Sequence, residues 1–301
     1  VIIRTFEIDR STVELGVGGG ITVDSVPVRE WYECLQKAAP LVTAARSTLQ
    51  IDLAAPGPRA SPTVLAAGVF ETMLTLGPTV LRLPAHLARL DRSCRELYEA
   101  GVPDDLADRV HRAVAHLSPG SGRRALRVVA EPVGPRLSFT MSLAPVAQRR
   151  TESALVRSAR SDSLWRHKWA DRSELAAAEA SAGDRVPYFV TPAGDVAETS
   201  RGNIFCQDAE GVWLTPPLDE HLLPGVTRRD VLDVFASIGV PTRLTSFPPR
   251  TLQTASGAFW TSSLSGAVII TDVDGSALPR CQALTESINA ALGFIAADLR
   301  R

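Results

Sequence analysis

Long apolar runs, a secretory signal layout and closely spaced cysteines are all missing from this 301-residue chain. No window approaches the roughly 18 uninterrupted apolar residues that a spanning helix needs, so no transmembrane helix is expected. The N-terminus lacks the charged-then-apolar order of a signal peptide, which points to a cytoplasmic protein. The four cysteines (Cys34, Cys94, Cys206, Cys281) are scattered. Neither a zinc site nor a redox pair is expected from them, and they read as reduced thiols that mostly fill core. Charge of one sign is lacking too. With 32 basic and 33 acidic residues the formal net charge is −1, so nothing draws the chain to nucleic acid or an anionic membrane. No internal repeat is visible, and the first residue is Val1, not methionine.

What is present is a globular composition, 45% hydrophobic and 22% charged, long enough for a substantial core. Residues 1–46 read as a strand, a glycine turn (Gly16, Gly18, Gly19, Gly20) and a helix with Ser25 as N-cap and Pro27 early in its first turn. Residues 47–62, with APGPRASP, read as a linker. The remainder alternates strands and helices. VLAAGVFETML is expected as a strand, and Pro84 opens a helix with an apolar stripe at Leu87, Leu90, Cys94, Leu97 and Tyr98, ended by Gly101. A second helix covers about 103–117. ALRVVAEPVGPRLSFTMSL forms a hairpin about Gly-Pro, and DRSELAAAEA is a helix. Short strands follow in YFVTPAGDVAETS and NIFCQDAEGVWLTPP, then a helix from Pro224-Gly225 to about Ile238. Strands near 240–246 and 257–270 precede a last helix near 281–299. The sum is a mixed α/β (α+β) fold and not a regular doubly wound sheet.

Several residues in this body suit chemistry, although each alone has a plainer reading. Lys168, between tryptophans in LWRHKWADRSEL, is placed for desolvation, which frees its amine for Schiff-base chemistry. An isolated lysine there more often snorkels over aromatic surface. Glu198 in GDVAETSRGNIF can hold a protonated heterocyclic nitrogen, or can be an exposed strand-end carboxylate. Gly225, Val226 and Thr227 in LLPGVTRRDVL put free N–H groups and a hydroxyl at a helix N-terminus, a setting for phosphate. Arg89 beside the apolar stripe in HLARL can add a fixed charge, or face solvent. Thr261 and Ser262 in TSSLSGA form a second phosphate-side loop or a polar turn. Arg127 in ALRVV is a candidate partner for a substrate carboxylate, or a solvent-facing strand arginine.

Their order carries more than any one of them. VFETM…LRLPAHLARL, HKW, AETSRGNIF, TPPLDEHLLPGVTR and TSSLSG resemble the class IV pyridoxal-phosphate (PLP) family over about residues 64–275. That family includes branched-chain and D-amino-acid aminotransferases and aminodeoxychorismate lyase. The resemblance implies PLP as cofactor. It makes Lys168 the lysine that binds PLP and moves protons, and Glu198 the partner of the pyridine nitrogen. Arg89, Val226, Thr227, Thr261 and Ser262 become phosphate contacts. It further implies a two-domain fold-type IV dimer, with 63–155 as the small domain, 156–301 as the large PLP-binding one, and the cofactor in the cleft. The family's usual opening stretch before VFET is replaced by SPTVLAAG, so the small domain is expected to start in remodelled form.

LGVGGGITVDSVPVREWYECLQKA is similar to the C-terminal end of chorismate-utilising enzymes, particularly component I of aminodeoxychorismate synthase. There Glu33 matches a magnesium-binding glutamate, with Lys37 one turn on; this short tail is not expected to carry synthase activity or to need a metal. Together with Val1 it implies a piece, or a descendant, of a fused synthase–lyase. The fusion favours a 4-amino-4-deoxychorismate lyase that makes p-aminobenzoate and pyruvate for folate synthesis, with synthase components as possible partners. A D-amino-acid or branched-chain aminotransferase and a non-catalytic accessory module are the alternatives.

Overall fold

The computed structural model describes residues 5–9, 12–16, 62–117, 122–134, 136–146, 149–160, 165–219 and 221–295. It divides into two compact units, Val1–Ser61 and Pro62–Arg301. In the first, β1 (Thr5–Asp9) and β2 (Thr12–Gly16) form an antiparallel hairpin whose register pairs Glu7 with Glu14. The expected glycine turn beyond Gly16, the Ser25 cap, Pro27, Glu33, Lys37 and the linker as far as residue 61 lie outside the described residues.

The second unit opens with α1 (Pro62–Ala67) and β3 (Val69–Leu76). The single strand expected over VLAAGVFETML is therefore half helix. Gly68 makes the change: its φ is +85°, and a Cβ there would lie 2.2 Å from the Ala130 carbonyl oxygen, so only glycine can turn the chain onto the sheet. After β4 (Thr79–Val80), α2 (Leu83–Tyr98) and α3 (Leu106–Leu117) pack near the hairpin of β5 (Arg123–Val133) and β6 (Arg136–Pro145). These strands form a four-stranded antiparallel sheet in the order β4-β3-β5-β6. Helix α2 ends earlier than expected. Glu99, not Gly101, takes the left-handed conformation and donates its N–H to the Arg95 carbonyl at 3.1 Å.

The remaining elements are β7 (Glu152–Arg157), α4 (Ser173–Ala182), β8 (Val186–Val190), β9 (Val196–Thr199), β10 (Asn203–Gln207), β11 (Trp213–Thr215) and α5 (Val226–Ile238). They continue with β12 (Thr242–Leu244), α6 (Pro249–Gln253), β13 (Gly257–Ser262), β14 (Gly266–Val273), β15 (Ser276–Ala277) and α7 (Gln282–Ala291). Their strands form a nine-stranded mixed sheet, to which β7 belongs although it straddles residue 155. In the order β10-β13-β14-β7-β8-β9 the sheet bends back on itself, and the pair Glu198–Asn203 joins β9 to β10. Alternation along the strands fills both faces. Ile204, Cys206, Ala258 and Trp260 enter one buried cluster with Leu155, Tyr188 and Ile270. Phe205 and Phe259 point the other way and stack, with centroids 4.9 Å apart, in a cluster with Phe235 of α5 and Ile288 of α7. Cys94 and Cys206 are buried and Cys281 is half-buried, each unbridged. No helix among the described residues is long and apolar enough to cross a membrane.

Candidate active site

Lys168 is held by backbone before its side chain is considered. The segment around it pairs with the start of β3: Phe70 N–H donates to the Lys168 carbonyl at 2.8 Å, and Ala170 N–H to the Gly68 carbonyl at 2.9 Å. Val69 and Trp169 complete the bridge. This places the Lys168 amine 4.8 Å from the centroid of the Phe70 ring. Burial first, then the positive charge of Arg89, bring its pKa down to about 8, against the opposing pull of Glu71; Arg172 lowers it further. A lysine in that range presents a substantial fraction of free amine near neutral pH.

Arg89 and Glu71, whose charges both act on the amine, belong to a buried polar cluster. Arg89 donates from Nε (2.6 Å) and Nη2 (2.7 Å) to the two carboxylate oxygens of Glu71, and His86 Nδ1 lies 2.7 Å from Glu71 Oε2. Burial works to raise the Glu71 pKa, but Arg89 and the hydrogen bonds from His86 and Arg89 hold it at about 2. Burial lowers His86 despite Glu71. A neutral imidazole that donates from Nδ1 leaves Nε2, buried and without a partner among the described residues, as a lone pair. Arg89 also donates from Nη1 to the Pro224 carbonyl at 3.0 Å, just before α5. These bonds engage three of the guanidinium's five N–H donors. The buried face of α2 is Leu83, His86, Arg89, Leu90, Ser93 and Cys94. It is thus rotated from the purely apolar stripe that the sequence pattern implies, and Arg89 lies within it.

Glu198 acts on the amine through its charge as well. It accepts from Arg160 Nη1 (3.1 Å), Asn203 Nδ2 (3.3 Å) and Leu223 N–H (3.2 Å). Arg160 itself lies over Trp165, 4.2 Å from the ring. Burial raises the Glu198 pKa, and Arg160 only partly opposes it. Such a carboxylate gains from any further cationic N–H brought to it.

Next to these residues the sheet and α5 form a cup. Glu198, Asn203 and Thr261 lie opposite one another on β9, β10 and β13. Gly225 caps α5 directly against Asn203: a Cβ at Gly225 would come 1.9 Å from Asn203 Oδ1. Val226 and Thr227 supply the first turn of α5. The hydroxyls of Thr227 and Thr261 are buried and have no hydrogen-bond partner among the described residues. Ser262 Oγ accepts from Ser265 N–H at 3.2 Å, which leaves its own proton to give. Two buried hydroxyls beside a helix N-terminus, an amine of lowered pKa and a buried carboxylate are the chemistry that could hold a phosphate, an aldehyde and a ring nitrogen, the three groups of PLP. Arg127 is set slightly apart, its guanidinium 3.8 Å from the centroid of the same Phe70 ring that the Lys168 amine approaches.

Sequence reasoning did not single out Glu71, His86, Phe70, Arg160 or Asn203. One signal for Lys168 was available, since the chain has only two lysines, Lys37 and Lys168.

Comparison with known proteins places this geometry. Residues 68–273 match the family model described as amino-transferase class IV, and the chain belongs to that PLP-dependent family. Residues 1–43 match a second model, chorismate binding enzyme. A fold-type IV transaminase from Curtobacterium pusillum is similar at 25% identity and a TM-score of 0.69, covering 80% of this chain and 92% of its own. A putative 4-amino-4-deoxychorismate lyase from Legionella pneumophila shares the fold at 18% identity and a TM-score of 0.70, over 81% and 97%. So does a hypothetical aminotransferase from Mycobacterium tuberculosis in PLP-bound form, at 23% identity and 0.69, over 81% and 95%. Among curated proteins none matched.

Proposed function

We propose that this chain is a PLP-dependent 4-amino-4-deoxychorismate lyase that releases p-aminobenzoate and pyruvate. One observation carries the choice: a class IV unit at 68–273 follows, in the same chain, a segment matching chorismate binding enzymes at 1–43. An enzyme of the second kind makes the aminated chorismate that a lyase of the first kind consumes. On this reading the protein is a cytoplasmic homodimer in the folate pathway, with 63–155 as small and 156–301 as large domain.

PLP, when bound, supplies an electron sink for the charge that develops at C4 of the substrate. Lys168 takes the C4 proton; its lowered pKa suits a base near neutral pH. The C3–O bond to the enolpyruvyl group then breaks, the ring aromatises, and the proton held by Lys168 is returned as the enol becomes pyruvate. Glu198 keeps the pyridine nitrogen protonated, which deepens the sink. Thr227, Thr261, Ser262, the Val226 N–H and Arg89 hold the phosphate. Arg127, whose guanidinium and the Lys168 amine both approach the Phe70 ring, takes a substrate carboxylate. An Arg127→Ala variant is therefore expected to raise KM about tenfold with a smaller change in kcat.

The test is a product assay. Purified protein with PLP receives aminodeoxychorismate made in place by a separate synthase, and both products are followed. Equal release of p-aminobenzoate and pyruvate, lost in Lys168→Ala, supports the lyase. Amino-group transfer to 2-oxoglutarate from D- or branched-chain amino acids, without p-aminobenzoate, overturns it in favour of an aminotransferase. Protein that takes up no PLP overturns both in favour of an accessory module.

A further inference from the structure

The turn between β13 and β14 carries Thr261 and Ser262 at its start, and it is held in an unusual way. Register pairs Ser262 with Gly266, leaving a three-residue loop, and Gly266 closes it with φ +70°, as such hairpins require. At its root, the buried Asn289 of α7 mimics a neighbouring strand: it accepts from Ala267 N–H at 2.8 Å and donates to the Ala267 carbonyl at 2.9 Å. Its tip is held by two arginines from outside the hairpin. Arg123, the first residue of β5, donates from Nη2 to the Leu264 carbonyl (3.1 Å) and from Nη1 to the Phe294 carbonyl beyond α7 (2.8 Å). Arg149 donates from Nη1 to the Ser265 carbonyl at 3.2 Å.

Two neighbouring turn carbonyls thus face cations. The peptide plane that carries the Leu264 carbonyl also carries the Ser265 N–H, which donates to Ser262 Oγ, so Arg123 acts through that plane on the Ser262 hydroxyl, and Arg149 fixes the next plane at the Ser265 carbonyl. Burial lowers the pKa of both guanidiniums, and for Arg123 the adjacent Arg149 adds to this, so the two are held close despite mutual repulsion. Arg123 and Arg127 also lie four residues apart on β5. One strand of the four-stranded sheet therefore grips the turn of the nine-stranded sheet at one point and reaches the Phe70 ring at another.

We propose that Arg123 and Arg149 are positioning residues that orient the 262–265 turn, so that Thr261 and Ser262 present their hydroxyls to the cofactor phosphate. This rests on the reading of that turn as one side of the phosphate cup. The distinguishing probe is pyridoxal, which has the aldehyde and ring of PLP but no phosphate. Binding of PLP and of pyridoxal is titrated spectroscopically in wild type, Arg123→Ala, Arg123→Lys, Arg149→Ala and Thr261→Val, with thermal unfolding of each. Expected are an about tenfold loss of PLP affinity in each Arg→Ala variant, unchanged pyridoxal affinity, and substantial recovery in Arg123→Lys. Equal loss of PLP and pyridoxal, or loss of neither, overturns the proposal. If Thr261→Val selectively weakens PLP while the arginine variants do not, the cup stands and the positioning role falls. If Thr261→Val also leaves the PLP-to-pyridoxal ratio unchanged, the reading of the cup itself falls. Should Arg123→Ala not fold, Arg149→Ala, at a half-buried residue, decides the matter.

Discussion

Glu71 and Glu198 are both buried, and both act on the charge of Lys168, yet their surroundings are opposite in kind. Glu71 is saturated: a bidentate arginine and a histidine take up both of its oxygens at 2.6–2.7 Å, and its pKa falls to about 2. Glu198 has three longer contacts of 3.1–3.3 Å, and burial leaves its pKa raised. A carboxylate with its charge fully matched fastens pieces of a protein together; one with its charge under-matched is ready to take a further partner. The region around Glu71 thus reads as the clamp that ties β3 to α2 and, through Arg89 and Pro224, to the start of α5. The region around Glu198 reads as the binding side.

That contrast can be broken by substitution. Glu71→Gln should be the more damaging to the fold, because it strands Arg89 as an uncompensated buried charge. About 3–5 kcal/mol of stability should be lost, visible as a large drop in Tm, with PLP uptake weakened as well because Arg89 loses the partner that orients it. Glu198→Gln keeps the shape and an acceptor, so its Tm should fall much less, while kcat/KM falls about 10²-fold through the weakened electron sink. If the two variants exchanged these phenotypes, the assignment of clamp and binding side would be reversed.

A smaller effect concerns pH. Only the neutral amine attacks an aldehyde, and the pKa of Lys168 is brought from its usual 10.5 to about 8. The rate of PLP capture by the cofactor-free protein should therefore rise with pH through about 8 and level off above it. Either Glu→Gln change removes a negative charge that favours the ammonium form, so each should move the midpoint to lower pH. A midpoint near 10.5 in wild type would show an ordinary solvated lysine.

Much of this was legible in the sequence, and the reason differs from part to part. The β5–β6 hairpin and α5 follow from turn chemistry and alternation, which are local, whereas the strand expected near 257–270 is in fact the antiparallel pair β13–β14, turned at Gly266 with φ +70°. The order of HKW, AETSRGNIF and LPGVTR was enough to bring Lys168, Glu198, Val226 and Thr227 forward together, and the structure gathers them. Helix α1 was misread because VLAAG is apolar throughout, and the clash that makes Gly68 a breaker involves Ala130, far along the chain. The rotated face of α2 was hidden for a related reason. His86, Arg89 and Ser93 look like a polar face until Glu71, Pro224 and His167 are folded onto them. Arg123 and Arg149 act on carbonyls 141 and 116 residues away, and no local pattern marks a long-range bond to backbone.

The central claim is that Lys168 is the residue that holds the cofactor, and the composition permits an unusually clean check, since Lys37 is the only other lysine in the chain. The PLP-loaded protein is reduced with borohydride, digested and mapped by mass spectrometry. A pyridoxyl-phosphate adduct on the peptide containing Lys168, at close to one per chain, is the expected result. An adduct on Lys37 instead, or on neither lysine in protein that has turned yellow, would contradict the account.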